Sequence, residues 1–84
     1  MTQPQLVEIT LNGSPHNCVF GDTVTALVAE LTGREIDADG RAVDAKRLGV
    51  AVARNGAVVA RSQWSVTALA AFDDIEIVTA VQGG

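Results

Sequence analysis

Two Asn-Gly dipeptides, Asn12-Gly13 and Asn55-Gly56, constrain the fold of this chain more than any other feature. A two-residue hairpin loop of type I′ needs positive φ at both central positions, which asparagine tolerates and glycine adopts freely, so Asn-Gly between alternating segments marks a tight antiparallel reversal. The flanks have the required pattern. Leu6–Leu11 puts Val7, Ile9 and Leu11 on one face and Glu8 and Thr10 on the other, and residues 16–20 return alongside it. Val50–Arg54 and residues 57–61 form a second hairpin around Asn55-Gly56. A last alternating stretch, residues 74–81, predicts a final strand with Ile75 and Ile77 facing a core and Asp74, Glu76, Val78 and Ala80 facing out.

Between the hairpins lies one helix. Asp22 and Thr23 are both N-cap candidates, Val24, Leu27, Val28 and Leu31 recur at helical spacing, and Gly33 ends the pattern, which predicts a helix over Val24–Thr32. Residues 33–48 are polar and without period, so they read as a long surface connection with a helical turn near 43–48. The chain's one tryptophan, Trp64, is a core or edge anchor. Residues 65–72, short and rich in alanine, predict a turn or short helix beneath the sheet. The fold class is therefore α+β: a mixed sheet of about five strands packed on one main helix. The order of elements resembles the β-grasp plan of ubiquitin, in which the first and last strands lie side by side at the centre of the sheet.

Several function classes fall away on composition. At 84 residues the chain is one domain with one small core, and its formal net charge of −4 does not suit nucleic acid or an anionic membrane, both of which need a basic face. A basic protein surface is the natural complement. Cys18 is the one cysteine, which leaves no intramolecular disulfide, fits a reducing cytosol and reads as a small buried hydrophobe. The start Met-Thr-Gln-Pro-Gln has no signal-peptide pattern and no apolar run is long enough to span a bilayer, so the expectation is a cytoplasmic protein. His16, the only histidine, has no partner at ligand spacing and reads as a surface or strand-edge residue. Asp37, Asp39, Gly40 and Asp44 fail as a calcium loop, because alignment on Gly40 puts Lys46 where a bidentate carboxylate is needed. The sequon Asn12-Gly13-Ser14 is read as a turn only. No phosphate-binding Gly-Lys-Ser/Thr motif, activated nucleophile or histidine pair is present, so the chain does not read as an enzyme.

The chemistry is expected at the chain end. Gln82-Gly83-Gly84 comes after the last strand, and two glycines without Cβ hold neither strand nor helix, which predicts a mobile and very narrow tail. Such a tail can thread a slot in a partner and place its carboxylate against a reactive atom.

The segments Glu8-Ile-Thr-Leu-Asn-Gly13, Gly21-Asp-Thr-Val24, Arg54-Asn-Gly-Ala-Val-Val-Ala-Arg-Ser-Gln-Trp64, Asp74-Ile-Glu-Ile-Val78 and Val81-Gln-Gly-Gly84 together resemble the ThiS family, the sulfur carrier proteins of thiamine biosynthesis. The likeness covers nearly the whole chain, with a longer 33–48 loop and with Phe72-Asp73-Asp74 where Asp-Gly-Asp is commoner. The resemblance implies that Gly84 is adenylated and then carries sulfur as a thiocarboxylate. Gly83, Gln82 and Val81 would thread the partner's active site, and Val78 and Ala80 would dock beside it. It implies three partners: an adenylating enzyme, which uses ATP and Mg²⁺ while the carrier binds no cofactor; a cysteine desulfurase or sulfurtransferase; and thiazole synthase, which takes the sulfur. A carrier for molybdopterin synthesis shares the Gly-Gly end but usually has Pro-Pro before it, where this chain has Thr79-Ala80. A ubiquitin-like modifier would pass Gly84 to a lysine, and a non-catalytic interaction module would tolerate extension of the chain.

Overall fold

Both Asn-Gly pairs turn the chain with positive φ at each residue, 50° and 84° at Asn12 and Gly13 and 51° and 85° at Asn55 and Gly56. In a computed structural model that describes residues 5–44 and 48–79, the first turn joins β1 (Leu6–Leu11) to β2 (Ser14–Val19) and the second joins β3 (Val50–Arg54) to β4 (Ala57–Val59). β5 (Asp74–Thr79) enters between the two hairpins, giving the strand order β2-β1-β5-β3-β4. It runs parallel to β1 and antiparallel to β3. This is the β-grasp plan, with the first and last strands adjacent at the centre.

The helix α1 (Val24–Thr32) keeps its predicted ends for the predicted reasons. Thr23 Oγ1 accepts from the Ala26 N–H at 3.3 Å, and Gly33, at φ 68°, donates its N–H to the Ala29 carbonyl. Asp22 caps the preceding strand instead, accepting from the Val19 N–H. Val24, Leu27 and Val28 are buried in one cluster with Val7 and Ile9 of β1, Val52 of β3, Ile75 and Ile77 of β5, and Trp64. Leu31, the fourth member of the predicted stripe, is 47% exposed. Its azimuth lies only about 20° from that of Val24 at 3.6 residues per turn, so the cause is axial: the last turn of α1 overhangs the core.

The second hairpin is shorter than expected. β4 stops at Val59, and Arg61 opens a 3₁₀ helix over Arg61–Val66, so the short helix lies ahead of the predicted 65–72 segment. Arg61 turns inward. Its guanidinium donates to the carbonyls of Gly40, Leu48 and Val50 and sits 4.9 Å from the centre of the Trp64 ring. The Trp64 N–H donates to the Val59 carbonyl at 3.0 Å, which leaves the indole fully buried with its polar atom satisfied. Arg61 thereby ties the 33–48 connection to the body. Within that connection Asp37 Oδ1 accepts from the N–H groups of Asp39 and Arg41, and a bridge pairs Ile36 with Ala42. Of the helical turn predicted at 43–48, residues 45–47 lie outside the described residues, and Val43 and Asp44 form a turn.

Asp73 is the buried charge among the described residues. Its carboxylate accepts from Arg54 Nε at 2.8 Å, Asn55 Nδ2 at 3.0 Å and the Ala70 N–H at 2.8 Å. Burial pushes the carboxyl pKa up, but these donors and the Arg54 charge outweigh it and hold Asp73 below its ordinary value. The knot ties the β3–β4 turn to the start of β5. Just before it, Phe72 is held at φ 67°, where a side chain costs about 1 kcal/mol, by donating its N–H to the Glu8 carbonyl at 2.7 Å.

Gly40 has φ 80°, and a Cβ there would lie 2.8 Å from both Cβ and O of Arg61, so Gly40→Ala should cost about 2–3 kcal/mol in urea unfolding. Gly56→Ala, with a similar φ but open space, should cost only about 1 kcal/mol. Asp73→Ala should lose about 2 kcal/mol at pH 7, toward the lower end for such a pair because Arg54 keeps contact with water. Because the folded pKa is depressed, this stability is complete above the unfolded value near 3.9 and is lost as pH falls through the folded pKa. Unfolding curves of parent and variant should therefore converge below about pH 4; a gap that widened in acid would contradict the assignment.

Candidate functional site

β5 is where the core and the chain end meet, and its alternation is as predicted. Ile75 and Ile77 are buried, while Asp74, Glu76 and Val78 point to the opposite, open face of the sheet. Val78 is 62% exposed. It pairs with Ala51 of β3, also exposed, and an open depression beside it is floored by Gly49, Val50 and Ala51 and edged by Arg61. Glu76 pairs with Ala53 and Asp74 with Thr10, whose strand also sends Glu8 outward. The outer face near the end of β5 is therefore a small apolar spot, Val78 and Ala51, with Glu76, Asp74 and Glu8 behind it. Such a face favours a partner with an apolar contact and basic surroundings.

Of the site residues singled out in the sequence, Val78 lies within the described residues and points outward near the end of β5. Ala80, Val81, Gln82, Gly83 and Gly84 lie outside the described residues. The strand predicted over 74–81 is described as far as Thr79.

Asn12, in sequence terms a turn residue and no more, belongs to this site. Where β1 ends, the main chain of Asn12 donates to the Ile75 carbonyl at 2.9 Å and then bends away into the hairpin. Its side chain continues the ladder. Oδ1 accepts from the Ile77 N–H at 2.9 Å and Nδ2 donates to the Ile77 carbonyl at 3.3 Å. The carboxamide thus stands in for the next peptide unit of β1, offering one acceptor and one donor as a backbone would. Asn55 does a related job at the other end of β5, where its Oδ1 accepts from the Asp74 N–H at 2.8 Å. No local sequence pattern signals this contact: it arises from the parallel pairing of first and last strands, which brings the residue after β1 beside β5.

Among the described residues the other reactive side chains, Cys18, His16 and Asp73, are engaged separately. Cys18 is buried, its thiol facing the Val7 carbonyl, and burial together with the nearby Asp22 charge pushes its pKa up, away from the thiolate. His16 is half-buried at the sheet edge, 3.7 Å from Glu30. Asp73 is consumed by its structural donors. No helix among the described residues is long and apolar enough to cross a membrane.

Comparison with known proteins adds the family. The crystal structure of the thiamine biosynthesis protein ThiS from Geobacter metallireducens is similar, with a TM-score of 0.60 and 26% sequence identity over 93% of this chain and 100% of that one. No curated protein matches the chain significantly. The model of the ThiS family matches residues 9–84, from the middle of β1 through the Gly-Gly end, and the chain belongs to the ThiS family.

Proposed function

We propose that this protein is a sulfur carrier for thiamine biosynthesis, a cosubstrate and no enzyme, whose reacting group is the Gly84 carboxylate. The observation that carries the reading is the family match, which spans residues 9–84 and so includes the Gly-Gly end. It is supported by a central strand, β5, whose Val78 is exposed one residue before the last described position, Thr79. A carboxylate with a pKa near 3.5 is ionised at neutral pH and is a poor electrophile, so it must be activated before sulfur can be attached. One Gly84 oxygen attacks the α-phosphorus of ATP on the adenylating enzyme, where Mg²⁺ offsets the charge, and pyrophosphate leaves. The acyl adenylate then meets a persulfide supplied by a cysteine desulfurase or sulfurtransferase. Its outer sulfur displaces AMP, and a thiol cleaves the resulting S–S bond to leave the thiocarboxylate. Thiazole synthase takes the sulfur from that group into the thiazole ring.

The chain's own contribution is shape and direction. Gly83 and Gly84 carry no side chains, so the end of the chain can pass through a slot that admits only backbone, and Val81 and Gln82 set its register there. Val78 and Ala80 give the partner an apolar contact beside that slot, and the acidic residues behind Val78 orient the approach.

One residue added after Gly84 displaces the carboxylate by about 3.3–3.6 Å, so the extended protein should keep its melting temperature and lose ATP-pyrophosphate exchange with the adenylating enzyme. Thiocarboxylation of the extended protein at the parent's rate, read by intact mass, would remove the chain end from the reaction. Val78→Asp should change stability by no more than about 0.5 kcal/mol, since the side chain lies outside the core, and should weaken binding to the adenylating enzyme by about tenfold. A large loss of stability would show that Val78 packs inward.

A further inference from the structure

A type I′ turn does not require asparagine at its first central position, because glycine serves equally well. The Asn12 carboxamide is instead committed to Ile77, 65 residues away, through both of its hydrogen-bonding groups. The place of this contact is decisive. β1 has ended, so on that side of β5 the Asn12 amide takes over directly after the last backbone bond, from Asn12 N–H to Ile75. On the other side β3 remains paired as far as Val50 with Thr79. Without the amide, the end of β5 would be held from one side only, as the edge of a two-stranded ribbon, and such ribbons twist more freely than the interior of a sheet.

We propose that Asn12 is a positioning residue for the C-terminal tail, fixing the direction in which β5 releases the chain toward Gly84. This rests on the sulfur-carrier reading above and specifies which residue outside the tail aims it. From Ile77 to Gly84 the chain can reach at most about 25 Å. A change of direction of about 10° at the pivot then shifts the region that the end of the chain can reach by up to about 4 Å. A displacement of about 1 Å at a reacting centre can already cost about a hundredfold. Part of that loss is recovered when the partner grips the tail, so a loss of about tenfold is expected.

The test compares two substitutions of the same kind. Asn12→Gly keeps the turn and removes the amide; Asn55→Gly does the same at the second turn, loosening the start of β5 and not its end. Hydrogen exchange measured on both proteins should show the Ile77 amide deprotected in Asn12→Gly and protected in Asn55→Gly. In ATP-pyrophosphate exchange with the adenylating enzyme, well below either melting temperature, Asn12→Gly should lower kcat/KM about tenfold and Asn55→Gly should stay within about twofold of the parent. Equal losses in the two variants, unchanged kinetics in Asn12→Gly, or an Ile77 amide that stays protected there would each overturn the inference. If Asn12→Gly folds poorly, Asn12→Asp, which keeps the turn and the acceptor but sets a carboxylate oxygen against the Ile77 carbonyl, takes its place in the kinetic comparison alone, since its retained acceptor keeps the Ile77 amide bonded. A parent protein that supports no exchange at all would overturn the sulfur-carrier reading itself, an outcome distinct from parent activity with an unaffected Asn12→Gly.

Discussion

The strand made last is the strand every other element is built around. β5 contributes Ile75 and Ile77 to the core and separates the two hairpins, so each hairpin finds its place by pairing with it. Side-chain chemistry at the turns secures this insertion. Asn55 bonds the first peptide of β5 and Asn12 bonds the fourth residue, so the dipeptides that reverse the chain also grip the strand between them. An Asn-Gly turn supplies both functions at once, since asparagine tolerates the left-handed backbone and its amide copies a peptide group.

Most of this architecture is legible in the sequence because its signals are local. Thr23 and Gly33 mark the helix ends, the alternation of Ile75 and Ile77 marks the inward face of β5, and Asn-Gly marks the hairpins, each a preference acting over a few residues. The differences between expectation and structure concern contacts between distant parts of the chain. Leu31 has helical spacing but lies where the helix overhangs the core. Arg61 reads as the polar end of a strand, and only the folded chain shows that the carbonyls of Gly40, Leu48 and Val50 converge on it. Asp73 figures in the sequence only as part of the Phe72-Asp73-Asp74 stretch before the last strand, and in the fold it is a buried anion with three donors. At the candidate site the outward Val78 is foreseeable from period two, whereas the Asn12 amide is not, because its partner is set by a parallel pairing that no local pattern encodes.

Asp73 and Phe72 show how the entrance to β5 is set. Phe72 adopts a backbone conformation that suits glycine, and the adjacent carboxylate gathers donors from β3, from the turn after it and from the residue three positions back. The charge is tolerable in the interior because each oxygen has partners, and removal of either side would leave the other stranded. The start of the central strand is thereby held by polar contacts and its body by apolar packing.

Placing the final strand at the centre also decides how the domain meets mechanical load. A partner that grips the chain beyond Thr79 and pulls outward directs the force along β5, nearly parallel to both neighbours. The hydrogen bonds to β1 and β3 are then stressed together, in shear. Had the chain ended on an edge strand, the same pull could have peeled it away one bond at a time. With β1 on one side and β3 on the other, the fold thus resists a pull along its last strand without being peeled apart.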